Sequence, residues 1–531
     1  MRAAALARAV DAADRVPPRS PPSAVAKMVA DPVQIAVPGI RAASPFGRKL
    51  AAALASLADI RTDGREPVGS YLWRLTVRGT ALDGFGGGGG ADQADPARPD
   101  LVLDLHGEAA AGTIRRWRVV DGAGNPVMRP FGCFATPGGV ASLYLLETCA
   151  GAAEGVVLAE AHVSTRQRYR AVLDALGRAA VWLVASALQA PVPQPAPGKF
   201  PPHQPAVLWF IGDRLAHLAA WLRDHAGSEI WAIGRIAAPP QSFLNSRTVL
   251  PENWLEVPMR DGFIADPFAW PGHPRAIVYE SYAHRTGRGT LAAFLPDAGA
   301  DGASRQLDLP IDSHISYPFV YAEGDTVYLL PEMTAERCQA LYVLLPDGSL
   351  REHCFIADHV AMADPSLFRH GGYYWIAYND LSLGANDNLC LRYAERLEGP
   401  WTAHRLNPVK IDVRSSRPGG TPFRVGETLF RPAQDCSRGY GCAVAINRVV
   451  SCTPEHYREL AVARLTPDPS SRFPHGTHTF SVTEDGILLD GKRVVFSPGI
   501  LLRRMQRRIR ATIRPRELSL PHRAVAAGEK S

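Results

Sequence analysis

Long apolar stretches are missing from this 531-residue sequence. The longest, Ala179 to Leu188, reaches about half a bilayer span, so no transmembrane helix is expected. The opening segment MRAAALARAVDAADRV carries Arg2, Arg8, Asp11, Asp14 and Arg15 and leaves no apolar core for a secretory leader, so a cytoplasmic location is expected. Charge of one sign is scarce as well: 58 basic residues stand against 52 acidic ones. Much of the excess sits in Arg503, Arg504, Arg507, Arg508, Arg510, Arg514 and Arg516, which reads as a solvated tail or a peripheral membrane contact. The remainder is near neutral, which gives no support to a nucleic-acid partner. The eight cysteines include no C-x-x-C pair and no zinc-type Cys/His spacing, so reduced, buried thiols are expected, with no metal and no cofactor.

Glycine and proline, by contrast, are plentiful at 47 and 45 residues, above their usual combined share of roughly 12%. That balance favours turn-rich, strand-rich structure. Two low-complexity stretches, the glycine run over residues 84–90 and the proline-rich 191–205, read as loops because they have few side chains to bury. Arg48 to Ile60 reads as a helix and Leu101 to Leu105 as a buried strand. The expected fold is multidomain: an ill-defined segment 1–47, a small α/β domain over 48–240, a β-propeller over 250–500 and a basic tail over 501–531.

The propeller expectation comes from a repeat. Five segments align: ADPFAWPGHPRAIVYES from Ala265, SYPFVYAEGDTVYLLPE from Ser316, ADPSLFRHGGYYWIAYND from Ala363, RPGGTPFRVGETLFRPAQD from Arg417 and THTFSVTEDGILLDGKR from Thr477. Each has an opening strand, a glycine-containing turn and a second strand, the signature of a hairpin. Hairpins recurring about every 50 residues indicate blades, since one such sheet cannot bury its faces alone. Five units indicate five blades, with unrelated hairpins of a β-sandwich as the alternative. Three openings also share chemistry, Asp266-Pro267, Tyr317-Pro318 and Asp364-Pro365, and a proline at a strand's first position sacrifices no ladder hydrogen bond.

In a hairpin, the residue opening the first strand and the residue closing the second share one end. This pairs Asp266 with Glu280, Tyr317 with Glu332, Asp364 with Asp380 and Arg417 with Asp435. With the opening strands innermost, Asp266, Asp364 and Arg417 converge at the mouth of a central channel. Converging carboxylates repel one another, which keeps one protonated while another ionises, the division of labour that glycosidic-bond chemistry needs. Turn capping by the same acids is the competing reading. Arg417, Arg431, Gln434 and Asp435 suit recognition of a carboxylate, a phosphate or sugar hydroxyls, with an Arg431–Asp435 ion pair as the structural alternative. His478 is a further candidate contact, and Trp270 and Trp254 are candidate stacking surfaces for a sugar.

At these residues the chain resembles the five-bladed propeller glycoside hydrolases typified by arabinanases and xylosidases. DGFIADPFAW from Asp261 resembles their first-blade segment, which implies a general-base role for Asp266. The acid of that family, a glutamate in a Glu-Gly-Pro motif, is left unassigned, and Asp364 stands as the paired carboxylic acid. SYPFVYAEGDTVYLLPE, LEGPWTAHRLNPV, SRPGG and FRPAQDCSRGYG resemble more closely the N-terminal domain of the glucosamine inositolphosphorylceramide transferase family and its bacterial relatives. The front part, through RPDLVLDLHG, RRWRVVDG and VVLAEAHVST, resembles the formyltransferase fold, without its catalytic Asn, His and Asp.

The function these observations lead to is binding of a saccharide or glycolipid headgroup, with hydrolysis or transfer of a glycosyl unit. A non-catalytic saccharide-binding propeller assisting a separate glycosyltransferase is the alternative, and formyl transfer by the front domain is a third.

Overall fold

The computed structural model describes residues 33–37, 58–62, 101–104, 115–122, 124–127, 139–148, 156–167, 169–189, 194–195, 227–255, 262–273, 275–296 and 303–496. The glycine run, the basic tail and most of residues 1–47 lie outside these. Of the segment read as a helix, residues 58–60 instead open the strand Ala58–Thr62, and 48–57 lie outside the described residues. The expected strand at Leu101 is present as Leu101–Asp104. Within the proline-rich stretch, Gln194–Pro195 forms a short edge strand.

The front of the chain builds a seven-stranded mixed sheet. Val33–Val37 pairs in parallel with Ala58–Thr62 and with Leu101–Asp104, which pairs in parallel with Arg115–Asp121. Val140–Thr148, Val156–Ser164 and Gln194–Pro195 extend it antiparallel. The helix Tyr169–Gln189 lies on this sheet. It is long and apolar enough to cross a bilayer by composition, longer than the apolar run alone suggests. Val172, Leu173, Leu176, Ala180, Leu183 and Val184 nevertheless pack into the core with Leu143, Leu145 and Val163, so its apolar face is occupied by the sheet.

Five further antiparallel sheets follow. Sheet I contains Gly262–Ala269, Ile277–Ala283, Arg288–Leu295 and Ala303–Leu307; sheet II contains Ser316–Glu323, Thr326–Glu332, Cys338–Leu344 and Leu350–Asp358. Sheet III contains Met362–His370, Tyr373–Asp380, Asn388–Ala394 and Thr402–Ala403, with Lys410–Ile411 at its side. Sheet IV contains Phe423–Val425, Thr428–Asp435, Ala443–Cys452 and Tyr457–Pro467, with Arg247–Val249 added in parallel. Sheet V joins distant parts of the chain: Phe480–Thr483 and Gly486–Phe496 pair through Gly227–Ile236 to Asn253–Leu255. Gly227–Ile236 falls within the stretch read as the front domain, yet its ten residues are all in register with Gly486–Phe496. One sheet thus ties the segment before sheet I to the segment after sheet IV.

The opening strands of sheets I, II, III and V touch one another. That of sheet I packs on those of sheets II and V, and that of sheet II on that of sheet III. Residues 417–421 bridge sheet V, where Gly420 pairs with Phe480. The front sheet is joined to this assembly by the Val413 amide, which donates to His162 O at 2.9 Å, by the Trp182 indole, which donates to Pro408 O at 2.5 Å, and by Ile411, which sits in the front core.

Candidate functional site

The three X-Pro openings differ from the expected first-position prolines. Pro267, Pro318 and Pro365 lie inside their strands, each at a break in the ladder: Ala265 faces Glu280, Ser316 faces Glu332 and Ala363 faces Asn379, and pairing resumes only at Phe268, Phe319 and Ser366. A bulge tolerates a residue without an amide hydrogen. The residue before each proline, Asp266, Tyr317 or Asp364, has a φ of 51°, 42° or 49°. These left-handed conformations are disfavoured before proline and turn the preceding side chain out of the sheet's alternation.

Four carboxyls meet there. Asp266 accepts a hydrogen bond from Thr479 Oγ1 at 2.7 Å, and its Oδ1 lies 3.6 Å from His478 Nε2. Asp364 Oδ2 accepts bonds from Arg417 Nε and from Gln434 Nε2, the latter at 2.6 Å. Glu332 accepts the Asp364 amide at 2.9 Å and lies 3.8 Å from Arg417 Nη2. Glu280, buried like the others, completes the group. Burial pushes Asp266 up to about 6, with His478 opposing, and Asp364 up to about 7, with Arg417 opposing. Burial raises Glu280 well above its ordinary value, and Asp266, Glu332 and Asp364 add to this.

The remaining contacts make the centre a junction of sheets. Arg417 Nη1 donates to Ala385 O and Asn386 Oδ1 at 3.0 and 2.9 Å, and its guanidinium lies 5.1 Å from the part-exposed Tyr440 ring. His478 stacks on Trp231 at 4.1 Å, and its Nδ1 faces Asp490 Oδ2. Burial works against the imidazolium, but Asp490 and Asp266 outweigh it and raise His478 above its usual value. Asp266, His478 and Asp490 are close enough together to surround a cation. The two ring nitrogens, however, face different carboxylates, as in a chain of ion pairs, whereas a metal takes one imidazole lone pair.

The other residues singled out from the sequence fall elsewhere. Tyr317 is fully buried; its hydroxyl accepts the Gly420 amide at 2.6 Å and lies 2.9 Å from Ser366 Oγ, so it joins sheets II and III to the segment 417–421 that pairs with sheet V. Arg431 is buried against Glu459, with Nε–Oε2 at 2.9 Å and Nη2–Oε1 at 2.6 Å, and its partner is not Asp435. Its Nη1 and Nη2 also donate to Ser416 O and Ser415 O, so four of its five N–H groups are spent within the protein. Asp435 pairs with Arg464 Nε at 2.5 Å and caps Ser437 N. Asp380 accepts from Ser382 N and Oγ, a turn cap. Trp270 is 3% exposed, packed in the core and against His273, and offers no open face. Trp254 lies against Phe473. The chain's Glu398-Gly399-Pro400 string forms an exposed turn with the Glu398 side chain 53% exposed beside His353, outside the cluster. Sequence spacing missed Asp490 and Thr479; only the pairing of sheet V brings them to Asp266.

Residues 252–472 match the family model described as Glucosamine inositolphosphorylceramide transferase 1, N-terminal. The protein of that name from Oryza sativa subsp. indica is 31% identical over 209 residues, 38% of this chain and 28% of the relative. Its Arabidopsis thaliana counterpart is 29% identical over 249 residues, 45% of this chain and 31% of the relative. The chain therefore spans about three tenths of these relatives' length. Among solved structures, a thermostable family-43 glycoside hydrolase covers 40% of this chain and 77% of its own at 14% identity and a TM-score of 0.29. A xylan beta-1,4-xylosidase from Bacillus halodurans covers 38% and 44% at 13% identity and a TM-score of 0.28. Both are too distant to bear on the argument. The similarity to the N-terminal region of glucosamine inositolphosphorylceramide transferases, read first from the strings above, holds across residues 252–472.

Proposed function

We propose that sheets I to V are the blades of one five-bladed propeller and that their centre is a saccharide or glycolipid-headgroup site acting in glycosyl hydrolysis or transfer. The carrying observation is the meeting of Asp266, Glu280, Glu332 and Asp364, with Arg417 paired to Asp364 and beside Glu332. Carboxyls in one buried group cannot all ionise, so the site holds both a proton and an anion at neutral pH, as acid–base attack on an acetal requires. Asp266 is the base or nucleophile in this reading, and the acid is a second member of the group. The glucosamine-related relatives favour a carbohydrate ligand. A cytoplasmic location, contact of the basic tail with a membrane and docking of the front sheet to a glycosyltransferase belong to the same reading.

The test is mass spectrometry of nucleotide-sugar, glycolipid and oligosaccharide pools incubated with the wild type and with Asp266→Asn. A product formed by the wild type alone supports catalysis at the centre. Equal turnover by the variant removes Asp266 from the mechanism. A second reading, a binding propeller without chemistry, is favoured by the Arg417 and Gln434 bonds that occupy Asp364. It predicts saccharide affinity with unchanged pools.

A further inference from the structure

The central carboxyls are not equally provided with donors. Asp266 has Thr479 and His478, Asp364 has Arg417 and Gln434, and Glu332 has the Asp364 amide and the Thr334 hydroxyl. Glu280 has none of these. Its polar neighbour at ion-pair range is His314, whose Nε2 lies 3.9 Å from Oε1, beyond hydrogen-bond distance. His314 Nδ1 accepts the Gly289 amide at 2.8 Å, and burial together with Arg288 holds that imidazole below its usual value, so it stands opposite Glu280 as a neutral ring.

Among the described residues, the charged groups that act most strongly on Glu280 are acidic: Asp266 of sheet I, Glu332 of sheet II, Asp364 of sheet III and Asp490 of sheet V. Its Oε1 occupies space that a side chain at position 289 would fill, since a Cβ on Gly289 would come within 2.2 Å of it. An anion placed there would be buried among anions with no cation of its own among the described residues, an arrangement that costs several kcal/mol. A neutral carboxyl has no such cost. The Glu280 side chain also keeps 9% of its surface exposed, against 3% for Asp364, so it is the more reachable proton donor.

We propose that Glu280 carries the proton of this cluster and is its general acid, an assignment that rests on the catalytic reading of the site. The Glu280 carboxyl gives its proton to the leaving glycosidic oxygen as the bond from that oxygen to C1 breaks. Asp266 takes a proton from the attacking water or acceptor hydroxyl as the new C1–O bond forms. Return of that proton from Asp266 to Glu280 through solvent restores both groups, and no other reactant is consumed.

Nuclear magnetic resonance of the full chain, with glutamate carboxyls labelled with carbon-13, reads the proton directly. One glutamate signal is expected to stay in the protonated range at pH 7, to vanish in Glu280→Gln and to persist in Glu332→Gln. If every glutamate is ionised at pH 7, or the protonated signal survives Glu280→Gln, the assignment is overturned. Glu280→Gln keeps the side-chain shape of a neutral carboxyl and is expected to fold. In the incubation assay it should lose roughly 100-fold or more of product formation. The loss should be recovered with an activated glycoside whose leaving group needs no proton. Full turnover by Glu280→Gln removes the acid role. No product from the wild type removes the catalytic reading and the acid role with it, whereas the proton's location stands or falls on the titration alone.

Discussion

Arg431→Met is expected to cost stability and leave recognition of a ligand untouched. The guanidinium is 1% exposed and spends its donors on Glu459 and on Ser415 O and Ser416 O. Its removal strands the Glu459 carboxylate, which keeps the Lys410 ammonium at 2.9 Å and the Tyr457 hydroxyl at 2.6 Å. Breaking a buried pair costs roughly 3–5 kcal/mol, and the surviving Lys410 contact puts this case at about 3 kcal/mol. The titration of Glu459 gives a similar figure. Burial would raise it, but Arg431 and Lys410 outweigh burial and bring it to about 2 from an ordinary 4.5, which corresponds to about 3 kcal/mol. The folded value is depressed, so this stability is fully present above pH 4.5 and is lost as pH falls through 2. At about 2–4 °C per kcal/mol for a unit of this size, the melting temperature should fall by roughly 6–12 °C. Arg431→Met/Glu459→Met removes both charges and should melt above the single variant. Calorimetry at pH 7 makes the comparison. A single variant melting within about 1 °C of wild type but with weakened saccharide binding would refute the structural assignment and restore Arg431 to the site.

The remaining predictions concern the contacts between sheets. His478, raised by Asp490 and Asp266 despite its burial, should titrate above 6.5 by imidazole resonance and fall towards or below that value in Asp490→Asn; its stabilising contribution is complete below pH 6.5 and is lost as pH rises through the folded value, and an imidazole already neutral at pH 6.5 contradicts the ion-pair chain. Gly420 has a φ of 125°, and a Cβ there would lie 1.9 Å from Phe480 O, so Gly420→Ala should destabilise by several kcal/mol. The control Gly426→Ala, at a φ of 57° with open space around it, should cost about 1 kcal/mol, and equal melting temperatures for the two would show that residues 417–421 do not pack on sheet V as described.

The period of the hairpins was legible because a strand and turn signal needs only local residues, and all five aligned segments form strands of separate sheets. The convergence of Asp266, Asp364 and Arg417 was legible for the same reason: equal positions in equal units meet at one end. The partner of Arg431 was not, because Glu459 comes from the last strand of sheet IV and nothing in the spacing favours it over Asp435, four residues away. Trp270 reads as a stacking surface from its residue type alone, and only its place in the core cluster that includes Ala276 and Tyr317 settles its burial. The contribution of Gly227–Ile236 to sheet V was hidden by distance, since about 250 residues separate it from its partner strand and no local pattern records long-range pairing.

The bulges explain how a repeat patterned for packing brings charged side chains together at the centre. In a regular strand, residues 265 and 266 would point to opposite faces, and the acid facing Glu280 across the ladder would depend on register alone. The left-handed residue before proline breaks that alternation at the same place in sheets I, II and III. Such a conformation costs roughly 1–3 kcal/mol per position, which three successive repeats retain. In sheet II the position holds Tyr317, and its hydroxyl locks Gly420 to Ser366. In sheets I and III the same geometry delivers Asp266 to His478 and Asp364 to Arg417. One backbone device thus serves as a rivet in one sheet and presents a charged group in two others. The character of the centre follows from which side chain stands before the proline, so Tyr317→Asp would add a further central carboxyl and remove the rivet in a single change.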